Sequence, residues 1–117
     1  MELQTIASGS YAAAEERGAV LVKSDAEYRK QWDALIGEGA IVPVDFEKVV
    51  VVFLMGGTRN TGGWSVQPVS ARVEGDTAII DAKVQGPPPG SITTQALTQP
   101  YAVITLNQRS VEKVRWD

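Results

Sequence analysis

The residues whose types and spacing could do chemistry in this chain lie in a glycine-rich loop that follows an apolar run. Gly57 and Gly62 have the spacing of the first two glycines in a phosphate-binding loop, where exposed backbone amides hold a phosphate. That motif continues with a lysine and a hydroxyl residue, but Gly63 and Trp64 stand in those places. A strand is predicted next instead of a helix, so no helix dipole would face the anion. We therefore expect no nucleotide site.

Composition removes most other catalytic chemistry. The 117 residues contain neither cysteine nor histidine, so disulfides, zinc fingers, haem ligation and cysteine or serine–histidine nucleophiles all lack their residues. The paired carboxylates fall in predicted loops or turns: Glu15–Glu16, Asp45 with Glu47, and Glu74 with Asp76. No nucleophile or apolar pocket accompanies them, so they are not expected to act as general acids. We expect no enzyme, no cofactor and no metal ion.

Charge argues against a nucleic-acid partner. Eleven basic and fourteen acidic residues give a net charge of −3, without the basic stripe that phosphate binding requires. Residues 1–47 hold nine acidic and four basic residues (net −5), and residues 48–117 hold five acidic and seven basic residues (net +2). Two interpretations remain open: an ordinary solvated surface, or self-association between the acidic and basic parts.

No segment has the pattern of a membrane span. The longest apolar run is Val49–Met55, seven residues, against the roughly 20 needed to cross a bilayer. Met1–Ala14 lacks the basic and apolar regions of a signal peptide. The sequence as written predicts a soluble protein without membrane insertion, and it leaves the compartment and the oligomeric state open.

One helix is predicted to support these loops. Ser24–Glu27 has the spacing of a capping box, in which the serine hydroxyl accepts from the amide of residue 27. Four apolar residues then recur at helical spacing: Tyr28, Trp32, Leu35 and Ile36. The pattern predicts a helix over about 25–36, ended by Gly37 or Gly39. We expect its aromatic residues to belong to the core; the alternative is a small-molecule pocket that they line between helix and sheet.

The remaining pattern is that of strands. Lys48–Met55 is apolar on both faces, which is typical of a central strand covered on both sides. Trp64–Val73 alternates with a bulge expected at Pro68, and Thr77–Val84 returns after a tight turn. Further predicted strands are a first edge strand within residues 1–17, Gly18–Lys23, Tyr101–Leu106 and Val111–Trp116, the last two joined around Asn107–Ser110.

These elements predict a β-rich α+β fold. Helices and strands do not alternate regularly and most turns are short, so we expect a largely antiparallel sheet or sandwich of about six to seven strands with one helix packed on it. A length of 117 residues suits a single domain over residues 1–117.

The glycine-rich loop has a second interpretation, as a contact surface. Glycine pairs bracket residues 58–61 and permit positive φ, so Arg59 and Asn60 are expected to project, with Trp64 half exposed. The alternative is a flexible connection with Trp64 in the core.

Two proline segments complete the set of loops. Pro87–Pro89 predicts a stiff exposed loop, because proline fixes φ and has no amide hydrogen. Gln99–Tyr101 is interpreted as a cis-proline corner or as the start of a strand, with Tyr101 in the core or at its rim.

A specific order of motifs runs through the second half of the chain: TGGWSV at Thr61–Val66, PPPG at Pro87–Gly90 and TQALTQPY at Thr94–Tyr101. This order resembles the C-terminal domain of the protease complex subunit PrcB family. The family is named for a lipoprotein that associates with and stabilises a secreted bacterial protease. The resemblance implies a non-enzymatic partner of a protease, and an envelope-associated or secreted location if an N-terminal signal was trimmed. This chain lacks the lipobox cysteine.

The same segments are similar, at the level of fold, to chagasin-type protease inhibitors, whose three loops at one end of a β-sandwich enter a protease cleft. Asn60–Trp64 and Gln99–Tyr101 would correspond to the first and last of those loops, with the proline-rich step between them. This similarity implies an inhibitor instead of a stabilising partner.

The leading hypothesis is a non-enzymatic protein-interaction domain with contacts from residues 58–64, 86–90 and 95–101. Rigid aromatic and proline side chains lose little entropy on association. The candidate contact residues are Arg59, Asn60, Thr61, Trp64, Pro88, Pro89, Gln99, Pro100 and Tyr101. The expected partner is a protein, and the resemblance implies a protease. A protease inhibitor and a small-ligand-binding module are the alternatives.

Overall fold

Seven strands and one helix form within residues 2–37 and 41–117, which are the residues that the computed structural model describes. In chain order the elements are β1 (Leu3–Gly9), β2 (Arg17–Val22), α1 (Asp25–Leu35), β3 (Val50–Gly56), β4 (Ser65–Glu74), β5 (Thr77–Gln85), β6 (Tyr101–Leu106) and β7 (Lys113–Trp116). α1 has 11 residues. No helix in the described part of the chain has the length and apolarity that a membrane crossing requires.

The strands form two sheets that pack face to face. One has four strands in the order β1-β6-β3-β2, all antiparallel, and the other has three in the order β4-β5-β7. β4 and β5 are antiparallel, with a register shift between Pro68 and Ser70 where the bulge was expected. The prediction of a β-rich α+β fold with a largely antiparallel sandwich and one helix is therefore confirmed.

The last two strands do not lie side by side, although a short connection joins them. β6 is central in the four-stranded sheet, whereas β7 lies at the edge of the other sheet, parallel to β5. The connection crosses between the sheets and buries Val111 completely. The amides of Glu112 and Lys113 then donate to the carbonyl of Asp76, in the β4–β5 turn, and β7 begins only at Lys113.

β3 is buried along its whole length, which confirms the predicted central strand. Val50, Val52 and Leu54 belong to the core between the two sheets. The alternate residues of β3 belong to a second core on the other face of the four-stranded sheet, where α1 lies: Val51, Phe53 and Met55.

The helix begins where the capping box predicts. The side-chain oxygen of Ser24 accepts from the amide of Glu27 at 3.3 Å, and Gly37 follows the helix with a φ of 79°. The other predicted helix end, Gly39, lies outside the described residues.

The aromatic residues of the helix fill the space between helix and sheet, where the alternative interpretation placed a small-molecule pocket. Tyr28 is 1% exposed and Trp32 is 6% exposed, with ring centroids 5.7 Å apart. The Tyr28 ring also lies 5.5 Å from Phe46 and 6.0 Å from Phe53, and its hydroxyl donates to the Val42 carbonyl at 2.7 Å. These residues belong to the core, which confirms the prediction, and they fill the place of the alternative ligand pocket.

Burial of Tyr28 makes the stability of the fold depend on pH in the alkaline range. Burial raises the pKa of Tyr28 to about 12, whereas an unfolded tyrosine has a pKa of about 10. The resulting stabilisation is fully present below about pH 10 and is lost as the pH rises through about 12. We expect the free energy of unfolding of the parent, measured with urea, to fall by on the order of 2 kcal/mol across this range. The Tyr28→Phe variant should not show this fall.

The matched control is Tyr11→Phe, because Tyr11 is 64% exposed. This variant should keep the alkaline slope of the parent. An equal slope in the parent and in Tyr28→Phe would contradict the prediction.

Candidate functional site

Three connections meet at one end of the sandwich, and together we call them the loop cluster: residues 10–16 between β1 and β2, residues 57–64 between β3 and β4, and residues 86–100 between β5 and β6. The second and third connections pass from one sheet to the other. One strand of an antiparallel pair ends where its neighbour begins, so all three connections lie at the same end of the sandwich.

Thr98 joins the second and third connections. Its amide and carbonyl exchange hydrogen bonds with the carbonyl and amide of Arg59, at 3.0 and 2.8 Å. Its hydroxyl donates to the carbonyl of Thr61 at 2.7 Å, and the residue is 1% exposed. A further bond runs from the Gly62 amide to the Thr94 carbonyl at 3.1 Å. The two connections therefore behave as one hydrogen-bonded unit.

Glycines let these connections approach closely. Gly63 has a φ of 85°, and a Cβ there would lie 2.9 Å from the Pro87 Cβ. At Gly86 a Cβ would lie 3.0 Å from the Trp64 ring. Contacts below 3.0 Å are not accommodated without movement, so Gly63 is held by glycine for steric reasons, whereas a Cβ at Gly86 would require the Trp64 ring to shift by a few tenths of an ångström.

Arg59 does not project as expected. Its guanidinium carbon lies 4.6 Å from the centroid of the Trp64 ring, and its Nη2 donates to the carbonyl of Gly56 at 3.1 Å. The prediction that Arg59 projects is wrong, because its cation finds an aromatic face and a backbone acceptor inside the loop. Arg59 and Trp64 therefore stabilise the shape of the second connection.

The first connection is fastened across the start of β6. The Gln99 amide donates to the Ser10 carbonyl at 2.7 Å, and the Ala12 amide donates to the Gln99 carbonyl at 2.9 Å. Pro100 is buried, and its carbonyl accepts from the amide of Gly56 at 2.8 Å. All peptide bonds of the described residues are trans, so this segment is the start of a strand and not a cis-proline corner.

All nine candidate contact residues lie at this end of the sandwich, but they differ in exposure. Asn60, Pro88 and Pro89 are exposed. Half-buried are Arg59, Thr61, Trp64, Gln99 and Tyr101. The Tyr101 ring lies at the rim, against the backbone of Gly9. Because Pro100 is buried, we leave it out of the surface that a partner could touch.

Three exposed apolar residues of the loop cluster were not predicted. Ile92 is fully exposed, Tyr11 is 64% exposed and Leu97 is 61% exposed. In the described residues the only other large apolar side chain of this kind is Val69, in the β4 bulge. The sequence signal was weak: Ile92 and Leu97 are isolated apolar residues in a polar segment, and Tyr11 follows a turn.

Within residues 2–37 and 41–117, no three acidic side chains lie close enough together to hold a metal ion.

A protein-family model matches the chain. The family model described as PrcB C-terminal matches residues 49–107, which is half of the chain. The matched segment runs from β3 to the end of β6 and contains all nine candidate contact residues. Neither the curated proteins nor the solved structures gave a match.

The hydroxyl of Thr98 provides one test of the loop cluster. Thr98→Val removes the donor to Thr61 and should speed hydrogen exchange at the Arg59 and Gly62 amides by about five- to tenfold, the worth of one hydrogen bond. Thr98→Ser keeps the hydroxyl and should leave these exchange rates near those of the parent. Equal rates in the two variants would show that this bond does not hold the connections together.

Close approach at Gly63 provides a second test. Gly63→Ala combines a positive φ with the contact to Pro87, and should lower the free energy of unfolding by about 2–3 kcal/mol. Gly90→Ala is the matched control, because its φ is 81° but no atom lies within 4 Å of the added Cβ. It should cost only about 1–2 kcal/mol, measured by urea unfolding. Equal losses would contradict the close approach.

Proposed function

Because the chain belongs to the PrcB C-terminal family, we propose that it is a non-enzymatic protein-interaction domain whose contact surface is the loop cluster. The observation that carries this proposal is the position of exposed apolar side chains. Three of the four large apolar residues that are mostly exposed in the described residues belong to the loop cluster: Tyr11, Ile92 and Leu97. Apolar side chains grouped at one end of a protein are typical of an interaction site.

The loop cluster is suited to binding because its backbone is already ordered. Hydrogen bonds from Thr98, Gly62 and Gln99 tie the connections to one another. Binding of a partner to Ile92 or Leu97 would therefore reduce the conformational entropy of these side chains and would reduce that of the loop backbone only a little. Pro88 and Pro89, which are exposed and have fixed φ, add contact area at a similarly low entropic cost.

We further propose that the partner is a bacterial protease, which this domain stabilises. An inhibitor of the chagasin kind would have to present the Asn60–Trp64 and Gln99–Tyr101 segments to a cleft. Here the Trp64 ring lies under Arg59 and against Gly86, and Pro100 is buried. The exposed apolar residues Ile92 and Leu97 lie instead on the long third connection. This favours contact with a protease surface over insertion into its active site.

A mixing experiment with purified bacterial secreted proteases tests this function. For its partner protease, the chain should form a complex in size-exclusion chromatography and lengthen the half-life of activity at elevated temperature, with the initial rate of turnover unchanged. The double variant Ile92→Ser with Leu97→Ser should bind at least about tenfold more weakly, because buried apolar anchors dominate binding energy.

Val69→Ser is the matched control, since it removes an exposed apolar side chain that is 55% accessible and lies outside the loop cluster. It should bind like the parent. A protease that forms the complex but loses turnover would support the inhibitor instead. A complex that forms equally well with the double variant would show that the loop cluster is not the contact surface.

A further inference from the structure

Four strands lie at the edges of the two sheets, and three of them have features that discourage pairing with another chain. β1 has a register shift between Thr5 and Ala7, and β4 has the bulge that follows Pro68. β7 is only four residues long and has Lys113 and Arg115 among them. Bulges, prolines, charged side chains and short length are the devices that protect sheet edges.

β2 has fewer of these devices, since its one charged side chain is that of Arg17, at its first residue. It pairs with β3 over six residues without a register shift, and its sequence, RGAVLV, has no proline. Gly18 lies on open space, since no atom is within 4 Å of the position of an added Cβ. A recess of about 380 Å³ lies beside this strand, lined in part by Ala19, Val114 and Trp116. The edge of β2 is therefore accessible.

The hydrogen-bonding phase of β3 shows which backbone groups of β2 point outwards. The Gly56 amide donates to the Pro100 carbonyl, on the β6 side. Every second residue of β3, counted back from Gly56, therefore bonds to β6, and the residues between them bond to β2. Their partners in β2 are Gly18, Val20 and Val22. The amides and carbonyls of the other three residues point away from the sheet: Arg17, Ala19 and Leu21. These six groups have no backbone partner among the described residues.

We propose that this edge pairs with β2 of a second copy of the chain, antiparallel and about a two-fold axis. In the register centred on Ala19, that residue lies opposite Ala19 of the second copy, and Arg17 lies opposite Leu21. Each of these pairs exchanges two hydrogen bonds. All six outward groups of each copy are then satisfied, and the two four-stranded sheets become one continuous sheet.

Charge and shape favour this register. The register centred on Val20 would place Arg17 opposite Lys23 of the second copy, twice by symmetry, whereas the register centred on Ala19 places Arg17 opposite Leu21. Like charges directly opposite are unfavourable in a sheet. Gly18 lies opposite Val20, and the open space at Gly18 accepts the valine side chain. A two-fold contact of this kind is closed and does not propagate.

Sedimentation over about a hundredfold range of concentration tests the proposal, because mass action makes dimer formation depend on concentration. The parent should pass from monomer to dimer. Ala19→Pro removes the outward amide at the axis without touching the β2–β3 ladder, and should weaken association at least about tenfold. Ala19→Val keeps the amide and is the matched control; it should associate like the parent.

Hydrogen exchange of the parent supplies a second measurement that needs no folded variant. The amides of Ala19 and Leu21 should exchange more slowly as concentration rises, whereas those of Gly18 and Val20 should be protected at every concentration. A monomer throughout the range, or a dimer that tolerates Ala19→Pro, would overturn the proposal. So would a dimer abolished by Ile92→Ser with Leu97→Ser, or slower exchange at Ala19 and Leu21 that appears only when another protein is added.

Discussion

The burial of β3 on both faces is the constraint on which the rest of this structure depends. A strand with valine, phenylalanine, leucine and methionine on both sides is stable only if each face is covered. The three-stranded sheet covers one face, and α1 with the segment around Phe46 covers the other. The core of the protein is thus two layers that share one strand, and each layer needs the other to keep β3 out of water.

Covering β3 with a second sheet also explains where the loop cluster lies. The chain must leave β3 for β4 and return from β5 to β6, and both crossings occur at the same end. Their backbones meet there and need hydrogen-bond partners, which Thr98 supplies at the centre. A rigid surface at this end is therefore a consequence of the way the two sheets are joined. The same architecture leaves four sheet edges, and β2 is the one that pairs over six residues with neither a bulge nor a proline.

Much of the fold could be predicted because local chemistry decides it. The capping box starts the helix at Asp25, the two-sided apolar run marks the central strand, and Pro68 marks the bulge. The prediction that Arg59 projects was wrong, and the place of β7 in the other sheet was not predicted, for a shared reason. Arg59 turns inwards because the loop brings Trp64 and the Gly56 carbonyl to it, and β7 leaves β6 because Val111 is buried between the sheets. Both outcomes depend on contacts between segments that local pattern does not specify.

The sequence by itself determined the class of fold, the helix and most strands, the family, and the loop segments that hold the candidate contact residues. It could do so because periodicity, caps and turn residues act over a few positions. Only the tertiary structure decided which loop residues are exposed, since packing buries Pro100 and turns Arg59 inwards while it leaves Tyr11, Ile92 and Leu97 in solvent. It alone also decided that β2, β4 and β7 are edges, whereas the first strand was predicted to be one, because an edge is defined by the absence of a neighbour and strand order is set by the burial of the whole chain.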